Sequence, residues 1–303
     1  MSVNYFNFVS TLPQIAETVY PEIRGFKKLR YNARFCLWSL LKPNVTQRMQ
    51  ALFDKPGLTE VIKQHPRIIE KPLKPYICLG WRPEKRAQKV YEHFEMLHGI
   101  YGKNTPNLYS SSGHTIASIE GFRVVLCSGP EREGSLAVKL VDEFSQDLFT
   151  IAFNISTDPE RTIHIGALQG PGEHIQDRGE IIKSLTKTMH GLRPKALVLE
   201  VLLMLARHWN VKHVFGVTNK GHIYQALRYT GSKRSSITYN YAELWTEYGG
   251  KEVSKYLCSL PVEPLRKDPS LLKRTKRRLY TKRYQWLNEL ELSVAQSIVE
   301  LEE

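Results

Sequence analysis

The sequence predicts an α+β fold: a helical N-terminal region followed by a mixed, mainly antiparallel sheet with covering helices. Three observations carry this. In the first hundred residues apolar side chains recur at three- and four-residue spacing, most clearly Ala87, Val90, Tyr91, Phe94 and Leu97. Five short β-rich runs separated by turn residues follow. Finally, a nearly uninterrupted apolar helix, 196–209, stands between strands expected at 162–168 and 212–217, and such a helix must be covered on most of its faces.

The elements follow in order. Mixed stretches at 25–41 and 45–52 are separated by Pro43, and 58–63 leads to a proline-marked break at 66–75. Pro83 suits a first helical turn and Gly99 a stop, which predicts one amphipathic helix over 83–98. After a glycine-containing connection the period shortens. Runs at 115–119 and 122–127 form a hairpin across Glu120 and Gly121, and 136–140, 148–155 and 162–168 continue the meander. A helical stretch at 175–190 precedes the apolar helix. The expected division is a helical region 1–105, a mixed core 106–260, and a helical tail 261–303 that is basic and then acidic.

At 303 residues and 42% apolar content the chain can bury a substantial core. Its formal charge is +13, concentrated in 266–283, where nine Lys or Arg face the single acid Asp268. This is either an ordinary solvated face or an attractor for a polyanion, an anionic membrane surface ahead of nucleic acid. The first twenty residues lack the pattern of a secretory signal, and Glu200 and Arg207 interrupt the longest apolar stretch, so a cytoplasmic chain is expected, one that can sit at the inner membrane. Cys36, Cys78, Cys127 and Cys258 are widely spaced and read as free thiols.

The candidate site gathers at the ends of the apolar helix. Gln169, Gly170 and Gly172 form a turn whose backbone could cradle an anion, although no nucleotide-binding glycine framework surrounds it. Lys187 and Arg193 offer cations to phosphate, and Asn219 and Lys220 lie beyond a strand end, where α/β proteins place ligand contacts. Glu200 must be paired or protonated within its apolar helix: either a structural ion pair with Arg193 or Arg207, or a catalytic carboxylate. His164 and Tyr224 complete the candidate catalytic set. No metal-ligand spacing and no nucleophile elbow is present, and no cofactor is identified.

Element order, with an antiparallel meander, a central helix and a parallel returning strand, resembles the acyl-CoA N-acyltransferases. In that family a turn entering the central helix holds pyrophosphate; here about twenty residues intervene, and the basic-glycine run is missing. A second resemblance covers residues 30–260. Lys74-Pro75-Tyr76 with Trp81 and Arg86, His93-Phe94, the 164–170 segment His-Ile-Gly-Ala-Leu-Gln-Gly, Gly191-Leu192-Arg193-Pro194-Lys195, Asn219-Lys220, and Tyr239-Asn240-Tyr241 with Trp245 are similar to the VirK/YbjX-like family of Gram-negative bacterial proteins. Phe94 departs from the family's His-Tyr, so no role for that hydroxyl carries over. The resemblance implies a virulence or envelope-stress factor, associated with resistance to antimicrobial peptides. This family supplies no biochemical activity. The acyltransferase-like element order gives acyl or related group transfer as the leading reading. A non-enzymatic adaptor or chaperone for envelope or surface proteins is the second, and nonspecific nucleic-acid binding through the basic tract is a third.

Overall fold

The computed structural model describes residues 2–226 and 240–302; Tyr239, one of the residues carrying the family resemblance, lies outside them. Helices α1 (Ser2–Val19), α2 (Gly25–Leu41), α3 (Pro43–Phe53), α4 (Leu58–Gln64) and α5 (Pro83–Tyr101) form the N-terminal part. Pro43 and Pro83 occupy first-turn positions, where a missing N–H costs nothing. The apolar face expected on 83–98 is in the core: Ala87, Val90, Phe94 and Leu97 are all buried. It is therefore not an exposed groove for a partner.

Strands β1 (His114–Ile119), β2 (Phe122–Ser128), β3 (Leu136–Val141), β4 (Asp147–Ser156) and β5 (Thr162–Gln169) form the meander, each within two residues of its expected bounds. Helices α6 (Arg178–Thr188) and α7 (Pro194–His208) cross over to β6 (His213–Val217). Helix α8 (Tyr241–Glu247), strands β7 (Lys251–Glu252) and β8 (Leu257–Leu260), and the long helix α9 (Arg274–Glu302) complete the described chain.

One eight-stranded sheet runs in the order β1-β2-β3-β4-β5-β6-β8-β7. Every neighbouring pair is antiparallel except β5 and β6. These two pair only from Thr162–Ile165 against His213–Gly216, while β5 continues to Gln169 beside β4 alone. The outer half of β5 thus has an edge that some other group must satisfy.

Helix α7 is apolar on nearly all faces because it is covered on all of them: it packs on β3 and β4, and α9 lies against it. Trp209 ties the layers together. Its indole donates to the Tyr101 hydroxyl on α5 at 2.8 Å, and its ring lies 6.2 Å from Phe153 of β4. At the other sheet edge, His114 of β1 meets Ser297 of α9.

Candidate functional site

The loop joining β2 to β3 folds back over β5. Ile77 N–H donates to the Arg132 carbonyl at 2.8 Å and Ser135 N–H to the Phe153 carbonyl at 2.9 Å. The Glu133 carbonyl then lies so close to Gly166 that a Cβ there would stand 2.0 Å from it. Only glycine at 166 admits this approach, so the Gly166 of the 164–170 segment positions an acidic side chain thirty-odd residues away in sequence.

The Glu133 side chain is buried, with 1% exposure. Gln169 Nε2 donates to its Oε2 at 2.6 Å. Its Oε1 has no hydrogen-bond donor among the described residues, and His222 Nε2 stands 3.5 Å away. A buried carboxylate oxygen without a donor is costly, which makes this the least satisfied anion described in the molecule.

His222 arrives from the turn after β6. Gly221 packs against Tyr256, where a Cβ would meet the Tyr256 carbonyl at 2.2 Å, and the Leu79 N–H donates to the Gly221 carbonyl at 2.9 Å. The imidazole Nδ1 accepts the Tyr224 N–H at 3.3 Å, so a neutral ring carries its proton on Nε2, toward Glu133. Tyr241 stacks on the same ring at 5.8 Å with a 21° tilt, and Tyr224 lies 5.0 Å away. The Tyr241 hydroxyl accepts the Leu168 N–H at 3.3 Å and so fills part of the gap where β5 parts from β6. Asn219 Oδ1 accepts the Tyr241 N–H at 3.1 Å, and the Trp245 indole donates to the Val217 carbonyl at 2.9 Å.

Gln169, Asn219 and Tyr224 are therefore brought together, around a carboxylate and a histidine that the sequence-based set did not include. Gly170 is exposed and Gly172 half-buried, continuing the turn outward from Gln169, and Lys220 is exposed. Lys187 is exposed on α6, away from this cluster's contacts. The one signal for Glu133 in the sequence is an acid held in a short turn between Gly129 and Gly134.

Glu200 has a different environment. Both its oxygens accept from the Arg266 guanidinium, at 2.6 and 2.8 Å, and Oε1 also accepts the Tyr248 hydroxyl at 3.0 Å. Burial, with Glu200 alongside, pushes the Tyr248 phenol well above its ordinary range, so it remains a donor. The partners expected from sequence are engaged elsewhere: Arg193 pairs with Glu247, and Arg207 with Glu291 at 2.6 Å. Arg207 reaches Glu291 of α9 instead, and the actual partner of Glu200 comes from sixty-six residues downstream. The Glu200 carboxylate lies in the wall of a cavity of about 420 Å³ that also contains Arg193 and Lys267 but not Asn219.

His164 is enclosed, edge-on to Trp81 at 4.9 Å and stacked on Phe215 at 5.6 Å. Burial, aided by Lys89 and Lys85, holds its pKa down to about 3, so the ring is neutral. His213 lies beside Phe215 at 6.2 Å and meets Glu160 at 2.8 Å, so the two histidines share a phenyl ring rather than a site with His222. Among the described residues no group of three His, Cys, Asp or Glu side chains is placed to hold a metal ion.

A further feature was not foreseen. Lys71 is buried and its ammonium donates to the Gly134 carbonyl at 2.7 Å, next to the loop that carries Glu133. Burial holds its pKa down to about 7. It borders a cavity of about 350 Å³ together with Tyr20, His65 and Arg67.

Comparison with known proteins gives the family. A family model described as a protein of unknown function, DUF535, matches residues 24–296. The uncharacterized protein YbjX of Escherichia coli (strain K12) is 26% identical over 275 residues, covering 88% of this chain and 82% of that protein. An uncharacterized protein of Haemophilus influenzae is 29% identical over 164 residues, covering 54% of this chain and 53% of its own. No solved structure matches. The family model spans most of the chain, in keeping with the YbjX-like resemblance of the sequence: the protein belongs to the DUF535 family.

Proposed function

We propose that the protein is an envelope-associated factor that carries out acyl or related group transfer where β5 and β6 diverge, with Glu133 as the proton acceptor. The observation that carries this reading is the half-satisfied carboxylate, one oxygen anchored by Gln169 and the other without a hydrogen-bond donor, 3.5 Å from His222 Nε2. An attacking amine or hydroxyl would form its new bond to the acyl carbon and pass its proton to Glu133 Oε1. The donor's C–S bond breaks, and the departing thiolate takes up the proton. His222 Nε2–H faces the same oxygen and steadies its charge, while Gln169, itself exposed, places the carboxylate one side chain from solvent.

The sheet order and the short parallel β5–β6 pair support the acyltransferase-like part of the proposal. Two features depart from that pattern: α6 stands between the Gln169–Gly172 turn and α7, and the Tyr241 hydroxyl occupies the free edge of β5. The envelope setting, with its link to virulence and antimicrobial-peptide resistance, rests on the family resemblance alone.

The test is thiol release from a panel of acyl thioesters, with a bacterial envelope extract as acceptor. Glu133→Gln and His222→Asn should each lower the rate at least about a hundredfold, within the range of general acid–base contributions. No thiol release above background, or equal rates in both variants and the wild type, would reject the reading.

A further inference from the structure

Helix α2 presents its apolar stripe outward. With about 100° of rotation per residue, Phe26, Leu29, Ala33, Leu37, Leu40 and Leu41 fall on one face. That face is exposed: Phe26 by 81%, Leu29 by 65%, Leu37 by 56% and Leu41 by 59%. The opposite face, with Phe35 and Ser39, is the one that packs on the body of the protein. A normal surface helix is the other way round. The stripe runs the length of a 17-residue helix, about 25 Å, far more than isolated surface leucines would make.

The charge around this stripe names its occupant. Residues 23–53 contain seven Lys or Arg and no Asp or Glu. Lys27 is exposed at the edge of the apolar face and Arg30 within it, a side chain whose long aliphatic stem can lie along such a face with the guanidinium outward. Trp38, 44% exposed, lies at the margin. Apolar stripe, flanking cations and a marginal tryptophan together fit the boundary between the headgroups and acyl chains of an anionic bilayer. An acidic protein groove would complement the cations, but it would not need six apolar positions across one face of the helix. Among the described residues no helix is long and apolar enough to cross a membrane, which is consistent with lying on one. We infer that α2 is an interfacial helix that docks the protein on an anionic lipid surface through Phe26, Leu29, Leu37, Leu40 and Leu41, with Lys27 and Arg30 at the headgroups.

This places the lipid contact on α2 rather than on the basic tract at the start of α9. In that tract Leu271 and Leu279 are exposed, but the first turns of α9 are dominated by charge. The inference does not depend on the group-transfer reading, because it needs no chemistry at Glu133.

The experiment is flotation of the full chain with phosphatidylglycerol-containing vesicles and with pure phosphatidylcholine vesicles. The wild type should float with the former, and weakly with the latter. The triple variant Phe26→Ser, Leu29→Ser, Leu37→Ser should reduce the bound fraction at least tenfold. Lys27→Gln with Arg30→Gln should weaken binding and flatten its salt dependence. These side chains are mostly exposed, so the melting temperature should hold; should the triple variant melt early, Phe26→Ser alone gives the same reading with a smaller loss. Four outcomes overturn the inference. One is no flotation of the wild type with phosphatidylglycerol vesicles. A second is flotation of the folded α2 variant like the wild type. A third is loss of binding instead in Lys276→Gln, Arg277→Gln, Arg278→Gln. The fourth is a dimer in sedimentation equilibrium that the α2 substitutions dissolve without any vesicle binding, which makes the stripe an interface between copies.

Discussion

Glu200 and Glu133 are both buried carboxylates, 1% exposed, yet their surroundings differ. Glu200 receives three donors, two from one guanidinium and one from Tyr248. Glu133 receives one from Gln169, and its second oxygen, with no hydrogen-bond partner, lies 3.5 Å from His222 Nε2. Three of the roughly four acceptor sites of Glu200 are taken, two of them by one guanidinium, whereas one oxygen of Glu133 has none taken. The partners of Glu200 hold α7 to the segment leading into α9. Coordination, more than burial, separates a structural acid from one able to take a proton.

The two carboxylates should respond in opposite ways to the same substitution. Glu133→Gln should lose at least about a hundredfold in thiol release while changing unfolding free energy by about 1 kcal/mol or less, since the amide oxygen still accepts from Gln169. Glu200→Gln should do the reverse, leaving turnover per folded molecule unchanged. Removing one partner of a buried ion pair costs about 3–5 kcal/mol; Arg266 is 37% exposed, so solvent screening reduces the expectation to about 2 kcal/mol, read by urea denaturation. A stable, inactive Glu200→Gln would restore the catalytic reading of that residue.

A buried cation sharpens the same contrast. Lys71 has a folded pKa of about 7 against an ordinary value of 10.5. Between these values the unfolded chain binds a proton that the folded chain does not, so stability rises with pH across this window and is lowered below about pH 7. The slope should be at most about 1.4 kcal/mol per pH unit. Lys71→Met should remove it, as measured by urea unfolding at pH 7 and pH 9. An unchanged slope would show that the amine stays charged through its bond to Gly134.

The smallest effect is expected at Gln169→Ala. Only one hydrogen bond to Glu133 is lost, which should cost about 1 kcal/mol and lower thiol release several-fold rather than abolish it. Loss as deep as in Glu133→Gln would move Gln169 from positioning the carboxylate to contacting the substrate.

Much of the fold was legible because it is written in local pattern. The meander follows from short β-rich runs between turns, and α5 from Pro83 and the three-four spacing of its apolar residues. The stretch 175–190 was read as one helix, but α6 is shorter, Arg178–Thr188, because Asp177 and His190 both adopt left-handed backbone conformations at its ends. Part of the candidate cluster was legible: Gln169, Asn219 and Tyr224 were singled out from sequence, and the structure brings them near one another. Glu133 was not, since it comes from a β2–β3 loop whose path depends on how closely it can approach Gly166.

What the sequence determined by itself was therefore the order of elements, the buried apolar helix, and the need of Glu200 for a partner, all consequences of periodicity and of the cost of burying charge. Only the tertiary structure decided who that partner is, which carboxylate is left unsatisfied, and that the apolar stripe of α2 faces outward. A helical stripe has the same spacing whether it meets a core or a solvent boundary, and a hydrogen bond across sixty residues leaves no local trace. These are decided where separately folded elements meet, by close approach and by which donors are already taken.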